Sequence, residues 1–397
     1  MNPSAQESSV SLIRIVPSFY PFKGGLDTDV KELSEHINMY INKHIIVAPN
    51  VGNDSYEFDK NYPIQIIRVK YPHIDNLFGI PTLPLNQLSY MLAVYRVLST
   101  IKSPYIIQAH GISIVAFSSM IGKIKKIPVV GMLHGTTEAY SRLSGLYETI
   151  LSKLFKPDYA LVVDSGTRAP EKFRRLWGDR TITVNHGIDT DFFCPKNKNI
   201  ELLNRLNLSE TDTVILSISS LSPIKNIDLA IESIEMLIAD STKANIKLLI
   251  AGEGKLKENL IMLVDQKGLN DYVKFLGHVD ISQMSEYISI ADICIGMSLK
   301  DNMNRSILEP MACGKAILAF DGGSIEELII RGHNGFLAKR GNLIDFTDKL
   351  KRLCEEPELR EEVGRNARDT ILLNRSWDVL ISKQLSIYNK YNHNIRH

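Results

Sequence analysis

Residues 301–318 read DNMNRSILEPMACGKAIL. Two carboxylates, Asp301 and Glu309, stand eight residues apart in this stretch, the first in a polar run and the second in a run of small and apolar residues. The first backbone N–H groups of a helix lack partners and carry partial positive charge, so a helix that begins after Asn304 favours a phosphate at its start. Glu309, about one turn further along, would then accept hydrogen bonds from sugar hydroxyls attached to that phosphate. The stretch therefore predicts a site for a phosphorylated sugar.

An alternation of strand and helix surrounds this stretch in both directions. A short apolar run at 11–17 is followed by two glycines and by helical spacing over 26–39, and similar pairs recur up to residue 184. The pattern restarts at 214–218 and continues through the apolar run at 316–320. Strands that alternate with helices indicate an α/β fold with parallel, doubly wound sheets.

The length of 397 residues predicts two domains. Residues 185–199 combine turn residues with the polar run KNKN, which is typical of a linker. We therefore expect one Rossmann-like domain over 1–200, a second over 201–375, and a final amphipathic helix within 376–397 that returns to the first domain.

Composition excludes several classes of protein. Charged residues make up 23% and the net charge is +1, with 22 Lys and Arg against 17 Asp and Glu in residues 1–200. This mild basic excess suits an anionic membrane surface or acceptor but is too small for a nucleic-acid-binding protein. The four cysteines lack the spacing of a zinc site or disulfide framework. With a polar amino terminus and no apolar run of about 18 residues, we expect a cytoplasmic protein, with peripheral contact at the inner membrane face as the only form of membrane association.

Residues 301–318 resemble the E-x7-E segment of the family-4 retaining glycosyltransferases, which typically reads E-G-F-G-x-x-x-x-E-A-M-A-C-G-x-P-V-V. The helical half matches, whereas Asp301 stands at the first glutamate and NMN at 302–304 replaces G-F-G. The resemblance implies a GT-B fold, with two Rossmann-like domains that face a central cleft. It further implies that Glu309 binds the ribose hydroxyls, that Asp301 holds the transferred sugar, and that Asn304, Arg305 and Ser306 lie at the diphosphate.

A second resemblance concerns residues 217–226, SISSLSPIKN, which are similar to the family segment V-G-R-L-x-P-E-K-G. In the family the Arg and Lys of this segment clamp the donor diphosphate. Lys225 is present here, whereas Ser220 stands at the Arg position. We hypothesise that Arg305, at the start of the phosphate-facing helix, supplies the missing charge; a solvent-facing Arg is the alternative.

The first half of the chain carries two further matches. Gly24 and Gly25, in PFKGG, resemble the family's glycine loop, which faces the donor diphosphate and the acceptor. His134 follows the run VVGML and matches the family histidine that contacts the transferred sugar, whereas His110 is the weaker candidate and suits a packing role.

Two segments before Glu309 resemble parts of the family's nucleotide site. Gly252, in GEG, matches a G-x-G turn, and Val273 and Lys274, in VKFLG, match the V-x-F-x-G segment that borders the base. Ordinary turns between strand and loop are the alternative for both. The run from 140 to 156 fits either a helix lying on a membrane or an ordinary core helix.

The resemblance implies a retaining, metal-independent glycosyltransferase that moves a sugar from a nucleoside-diphosphate-sugar, for which we expect a UDP-sugar, to an acceptor hydroxyl. The acceptor would be a glycan, a lipid-linked molecule or a small molecule, as in polysaccharide or glycoconjugate biosynthesis, and no cofactor is expected. Two alternatives remain: a non-catalytic nucleotide-sugar-binding subunit, and a nucleotide-sugar 2-epimerase on the same fold.

Overall fold

The computed structural model describes residues 10–21, 25–50, 52, 54–72, 83–102, 105–134, 142–163, 169–185, 187–240, 245–299, 305–323 and 325–392. The chain divides into two compact units. The first unit comprises residues 1–186 and 377–397, and the second comprises residues 187–376.

The first unit is built on a parallel sheet whose strands are mostly buried. Among the described residues, its strands are β1 (Ser11–Ile15), β2 (Lys43–Pro49), β3 (Gln65–Val69), β4 (Ile106–His110), β5 (Val129–His134), β6 (Tyr159–Val163) and β7 (Thr181–Val184). They pair in the order β3-β2-β1-β4-β5-β6-β7, so the strand order reverses between β1 and β4. Strands covered on both faces read as nearly continuous apolar runs, which is why the sequence predicted them.

Helices cover both faces of this sheet. The helices between its strands are α1 (Gly25–Asn38), α2 (Asp54–Asn61), α3 (Leu83–Thr100), α4 (Ile112–Lys125), α5 (Arg142–Leu154) and α6 (Ala169–Trp177). On one face, α3, α4 and α6 bury Tyr90, Phe117 and Phe173 against the sheet. On the other face, α1 buries Leu33 and Ile37. Alternate residues of each strand supply these two cores.

The second unit repeats this architecture. Its described strands are β8 (Thr213–Ile218), β9 (Ile246–Ala251), β10 (Val273–Gly277), β11 (Ile293–Gly296), β12 (Ala316–Phe320) and β13 (Phe336–Ala338). Its helices are α7 (Ile200–Arg205), α8 (Ile227–Ala239), α9 (Lys257–Gln266), α10 (Ile281–Ile290), α11 (Arg305–Ala312), α12 (Ile325–Leu328), α13 (Leu343–Glu355) and α14 (Pro357–Asn374). The parallel strands pair in the order β10-β9-β8-β11-β12-β13. The order reverses between β8 and β11, and ligands of such sheets bind where it reverses.

Residues 187–199 belong to the second unit, although the sequence grouped them with the first. Ile188 is buried and donates its backbone N–H to the carbonyl of Arg375 at 2.8 Å. The guanidinium of Arg368, on α14, donates to the carbonyls of Phe193 at 2.9 Å and Thr190 at 3.2 Å. Hydrogen bonds to Arg368 and Arg375 thus hold this segment in the second unit. The composition of residues 187–199 does not indicate these partners.

The last helix, α15 (Trp377–Asn392), packs on the first unit. The ring of Trp377 stacks on that of His36, on α1, with 5.0 Å between centroids. Leu380, Ile381 and Tyr388 join the apolar core on the α1 side of the sheet.

A buried polar cluster lies beneath α15. Arg14, in the middle of β1, is fully buried, and its Nη1 donates to Ser34 Oγ at 2.6 Å. Burial lowers the pKa of Arg14 to about 10, which leaves it charged at neutral pH. Beside it, Gln384 Oε1 accepts hydrogen bonds from Gln108 Nε2 and Tyr388 Oη, both at 3.1 Å. These bonds tie α15 to β4.

Candidate functional site

The loops at the carboxyl edge of the second sheet hold most of the residues that the sequence singled out. Residues 219–226 follow β8, residues 252–254 follow β9, and residues 297–299 follow β11. Because all of these strands are parallel, their following loops lie at one edge of the sheet. The reversal of strand order puts the loops after β8 and β11 side by side.

Backbone contact joins the loops after β8 and β9. Ser219 N–H donates to the Ala251 carbonyl, and Leu221 N–H donates to the Glu253 carbonyl, both at 2.9 Å. A Cβ atom on Gly252 would lie 1.9 Å from the carbonyl oxygen of Ser219, and one on Gly254 would lie 2.3 Å from that of Leu221. These positions therefore require glycine because the two chains touch.

Lys225 ends a short 3-10 turn in the loop after β8. The turn spans Pro223–Lys225, and Lys225 is half-buried. Asn226 adopts a left-handed φ of 47° and donates its side-chain N–H to the Met297 carbonyl at 2.8 Å. Leu299 N–H returns a bond to the Ile224 carbonyl at 3.2 Å. The turn with Lys225 is thus fastened to the segment that leads towards α11.

Ser220 lies in the same loop and is exposed. Its Oγ stands 3.3 Å from that of Ser222. A hydroxyl therefore occupies the place where the resemblance expects an arginine, and this loop supplies one cation, Lys225, in place of two.

The start of α11 brings Arg305, Ser306 and Glu309 together. Arg305 is the first described residue of the helix, and Glu309 follows one turn later with only 3% of its surface exposed. Glu309 Oε1 lies 4.0 Å from Arg305 Nε. A buried carboxylate is costly without an opposite charge, and the guanidinium of Arg305, about one-third exposed, offsets part of that cost for Glu309.

Close packing against α14 holds α11 in place. Residues 307–312 are all buried. After the helix ends, Gly314 adopts a φ of 71°, and a Cβ atom on Gly364, in α14, would lie 2.1 Å from the Gly314 carbonyl oxygen. Gly364 of α14 thus permits the close contact that holds the end of the helix carrying Glu309.

The structure places Val273 and Lys274 away from this edge. Val273 begins β10, pairs with Leu248 and is buried in the core. Lys274 Nζ donates to the carbonyl of Leu206. Both residues line a groove of about 440 Å³ at the amino-terminal edge of β9 and β10. The V-x-F-x-G motif located the strand β10 correctly. Its first residues, however, lie at the edge of the sheet opposite the loops that follow β8 and β9.

Two residues at the carboxyl edge, Gly277 and Glu253, were not among the site residues that the sequence predicted. Gly277 ends β10 with a φ of 71°, and its carbonyl accepts the N–H of Gly252 at 2.8 Å. A Cβ atom on Gly277 would lie 3.0 Å from the exposed carboxylate of Glu253. In the V-x-F-x-G segment, the final glycine marks the carboxyl edge of the sheet, whereas the first residues of the segment begin the strand at the opposite edge.

In the first unit, the predicted residues lie at strand and helix ends. His134 is the last residue of β5, and Gly25 is the first of α1. Asp27, in the first turn of α1, is buried and accepts a hydrogen bond from Ser18 Oγ at 2.6 Å. His110, at the end of β4, is fully buried, as a packing role requires.

Three predicted residues, Gly24, Asp301 and Asn304, lie outside the described residues. Among the residues described, no group of three or more His, Cys, Asp or Glu side chains is arranged to hold a metal ion. Within the same part of the chain, no helix combines the length and apolarity needed to cross a bilayer.

Comparison with known proteins gives matches to both sequence and fold. Residues 199–370 match the family model of glycosyl transferases group 1. The chain is 24% identical over 280 residues to N-acetyl-alpha-D-glucosaminyl L-malate synthase of Bacillus anthracis, which covers 70% of this chain and 71% of the relative. It is 25% identical to an uncharacterized glycosyltransferase of Methanocaldococcus jannaschii over 95% of this chain and 97% of the relative.

The crystal structure of HepE from Anabaena in complex with UDP resembles this chain with a TM-score of 0.75 at 18% identity. The match covers 96% of this chain and 100% of HepE. The likeness confirms the predicted fold class, GT-B, with two Rossmann-like domains on parallel sheets.

Proposed function

We propose that this chain transfers a sugar from a UDP-sugar to an acceptor hydroxyl with retention of anomeric configuration, and the match of residues 199–370 to the family model of glycosyl transferases group 1 supports this. The observation that carries the proposal is the start of α11, where the buried Glu309 and Arg305 lie at the edge that also holds Lys225. The UDP in the HepE structure supports uracil as the base of the donor.

The leaving diphosphate needs positive charge as the glycosidic bond breaks. Lys225 and Arg305 each offer a full charge, and the backbone N–H groups in the first turn of α11 add the partial positive charge of the helix dipole. Preorganised groups of this kind stabilise charge that develops in a transition state. In the proposed reaction they replace a metal ion, and no cofactor takes part.

Glu309 is proposed to accept hydrogen bonds from the two ribose hydroxyls. A carboxylate offers two oxygens to a pair of neighbouring hydroxyls, and burial strengthens such bonds because water competes less. Arg305 has a double role in this scheme, since it keeps Glu309 charged and faces the diphosphate. If Arg305→Ala left UDP affinity unchanged while Lys225→Ala weakened it strongly, the second role would be wrong.

Retention is proposed to proceed on one face of the sugar. The α-linked product in the name of the Bacillus relative supports a retained α configuration. The leaving phosphate would take the proton of the acceptor hydroxyl, so no protein side chain acts as nucleophile. Asp301 and His134 are proposed to hold the transferred sugar, and the loop at Gly24 and Gly25 to face the acceptor, which is a glycan, a lipid-linked molecule or a small molecule.

The test begins with a thermal-shift panel of UDP-, GDP- and ADP-sugars on the full chain, with Glu309→Gln as the matched variant. The stabilising donor is then incubated with an acceptor panel, with and without EDTA, and the anomeric configuration of any product is read by NMR. An α-linked product in EDTA supports the proposal. Binding without transfer or hydrolysis would favour a non-catalytic subunit, and conversion of the donor without acceptor would favour an epimerase. Equal stabilisation of Glu309→Gln and wild type would overturn the site.

A further inference from the structure

Helix α3 of the first unit is apolar on both of its sides. Tyr90, Met91, Val94 and Leu98 are buried against the sheet. On the outward side, Leu85, Leu88, Leu92 and Tyr95 remain 45%, 41%, 56% and 38% exposed. Their spacing of three, four and three residues places them on one face of the helix. An amphipathic surface helix would carry polar residues at these positions.

The exposed apolar surface continues on the two neighbouring helices. Helix α4 contacts both α3 and α5, and all three cover the same face of the sheet. Ile124, on α4, is 65% exposed, and Ile150 and Leu154, on α5, are 48% and 61% exposed. Lys125 Nζ lies 4.8 Å from the ring centroid of Tyr95 and joins α4 to α3. We call these seven apolar residues and the helices that bear them the α3–α5 face.

Basic residues gather at one end of the α3–α5 face. Residues 83–157 contain eight Lys and Arg against two Glu and no Asp, whereas the whole chain contains 46 against 45. The exposed members with described side chains are Arg96, Lys102, Lys123, Lys126, Lys153 and Lys156. They cluster where α3, α4 and α5 end, which is one end of the α3–α5 face because each helix leads back to the start of the next strand.

We propose that the α3–α5 face docks on an anionic membrane surface. Exposed leucine and isoleucine side chains enter the boundary between headgroups and acyl chains, and the lysines meet the negative lipid headgroups. The two interpretations of the run 140–156 then both apply, because Leu151 packs towards the core while Ile150 and Leu154 face outward.

The charge of the face favours a membrane over a second copy of this chain. In a two-fold dimer the same patch faces itself. Because the basic residues lie at one end of the face, a two-fold axis through its centre would set Lys123 and Lys126 against the opposite end of the other copy, where they meet no negative charge among the described residues. Anionic lipids instead offer the opposite charge over the whole patch.

The experiment is co-sedimentation of the full chain with vesicles of phosphatidylcholine alone or mixed with phosphatidylglycerol. Binding is expected only to the anionic vesicles and weakens with added salt. Lys123→Glu/Lys126→Glu is expected to weaken the partition coefficient by about 25-fold or more, at roughly fivefold per basic residue lost. Leu88→Gln/Leu92→Gln is expected to weaken it by about tenfold, since exposed leucines supply the apolar part.

Matched controls lie elsewhere on the chain. Lys60→Glu/Lys383→Glu reverses two exposed charges on α2 and α15, and Ile344→Gln/Leu373→Gln removes two apolar residues that are 65% and 74% exposed. Both control variants should bind as wild type does, and all variants should unfold at the wild-type temperature. If the leucine variant fails to fold, the lysine variant alone decides the proposal.

Three results would overturn the proposal. The first is no binding to anionic vesicles, and the second is an equal loss in the control variants. The third is a dimer in sedimentation velocity that Leu88→Gln/Leu92→Gln dissociates, which would make the face an interface between copies. Donor binding by the second unit is measured separately, so failure of glycosyl transfer would leave this test intact.

Discussion

Replacement of Gly252 by alanine should separate the two loops on which the proposed donor site rests. The added Cβ atom would lie 1.9 Å from the carbonyl oxygen of Ser219, whereas real contacts of this kind essentially never fall below 3.0 Å. The loops after β8 and β9 must therefore move apart by at least 1.1 Å, the difference between these distances. The hydrogen bonds at Ser219 and Leu221 lengthen with them.

The magnitude follows from that displacement. Lys225 lies four residues after Leu221 on the displaced loop, so its ammonium group loses its position relative to α11. A misplacement of about 1 Å in a catalytic site can cost about 100-fold in rate. We expect the second-order rate constant for donor to fall by about 100-fold, with a smaller loss of UDP affinity.

Isothermal titration with UDP and initial rates at low donor concentration measure these effects. Gly268→Ala is the matched control, because Gly268 also has a positive φ, 67°, but has no atom within 4 Å of an added Cβ. The control carries the backbone strain of alanine, about 1 kcal/mol, without a clash. If Gly252→Ala bound UDP and reacted as wild type does, the two-loop account of the site would be refuted.

Four further outcomes are expected. Glu309→Gln should weaken UDP binding by about tenfold or more in titration calorimetry, because charged hydrogen bonds contribute about 1.5–3 kcal/mol; unchanged affinity would contradict the ribose role. Ser220→Arg should tighten UDP binding by about tenfold by restoring a cation, and no gain would mean that Arg305 already supplies it. Gln384→Leu should lower the free energy of unfolding in urea by about 1–3 kcal/mol, since its two buried partners lose their acceptor, whereas a change at exposed Lys383 should not. Hydrogen bonds from Asn199 and Lys196 lower the pKa of Glu286 below its ordinary value, so the stability that Glu286→Gln removes should be present at neutral pH and vanish as pH falls through the lowered pKa; a pH-independent difference in urea midpoints would contradict this assignment.

The sequence predicted the elements whose signal is local. Strand β8 and the start of helix α11 could be located because a buried parallel strand is apolar throughout and a helix start has its own pattern. Val273 shows what the family pattern did not resolve: the pattern marks the whole strand, whereas in a parallel sheet only its carboxyl end, here Gly277, lies at the edge with the loops.

Other features depend on distant parts of the chain. Residues 187–199 join the second unit through Arg368, far along the sequence. Arg14 is a charged residue in a strand, and it is buried beneath α1, which supplies Ser34, and α15, which supplies Tyr388 from beyond residue 376. The outward leucines of α3 look like core residues in the sequence, since periodicity records apolarity and not which side has a neighbour.

The return of α15 to the first unit has a consequence for synthesis of the protein. The second unit is one continuous segment, residues 187–376, whereas the first is completed only by residues that follow it. Domains tend to fold as units while the chain emerges from the ribosome. We therefore expect the second unit to reach its native state first, although the first unit begins the chain. Until Gln384 and Tyr388 emerge, the sheet that contains Arg14 remains without its cover and has to be kept from aggregation.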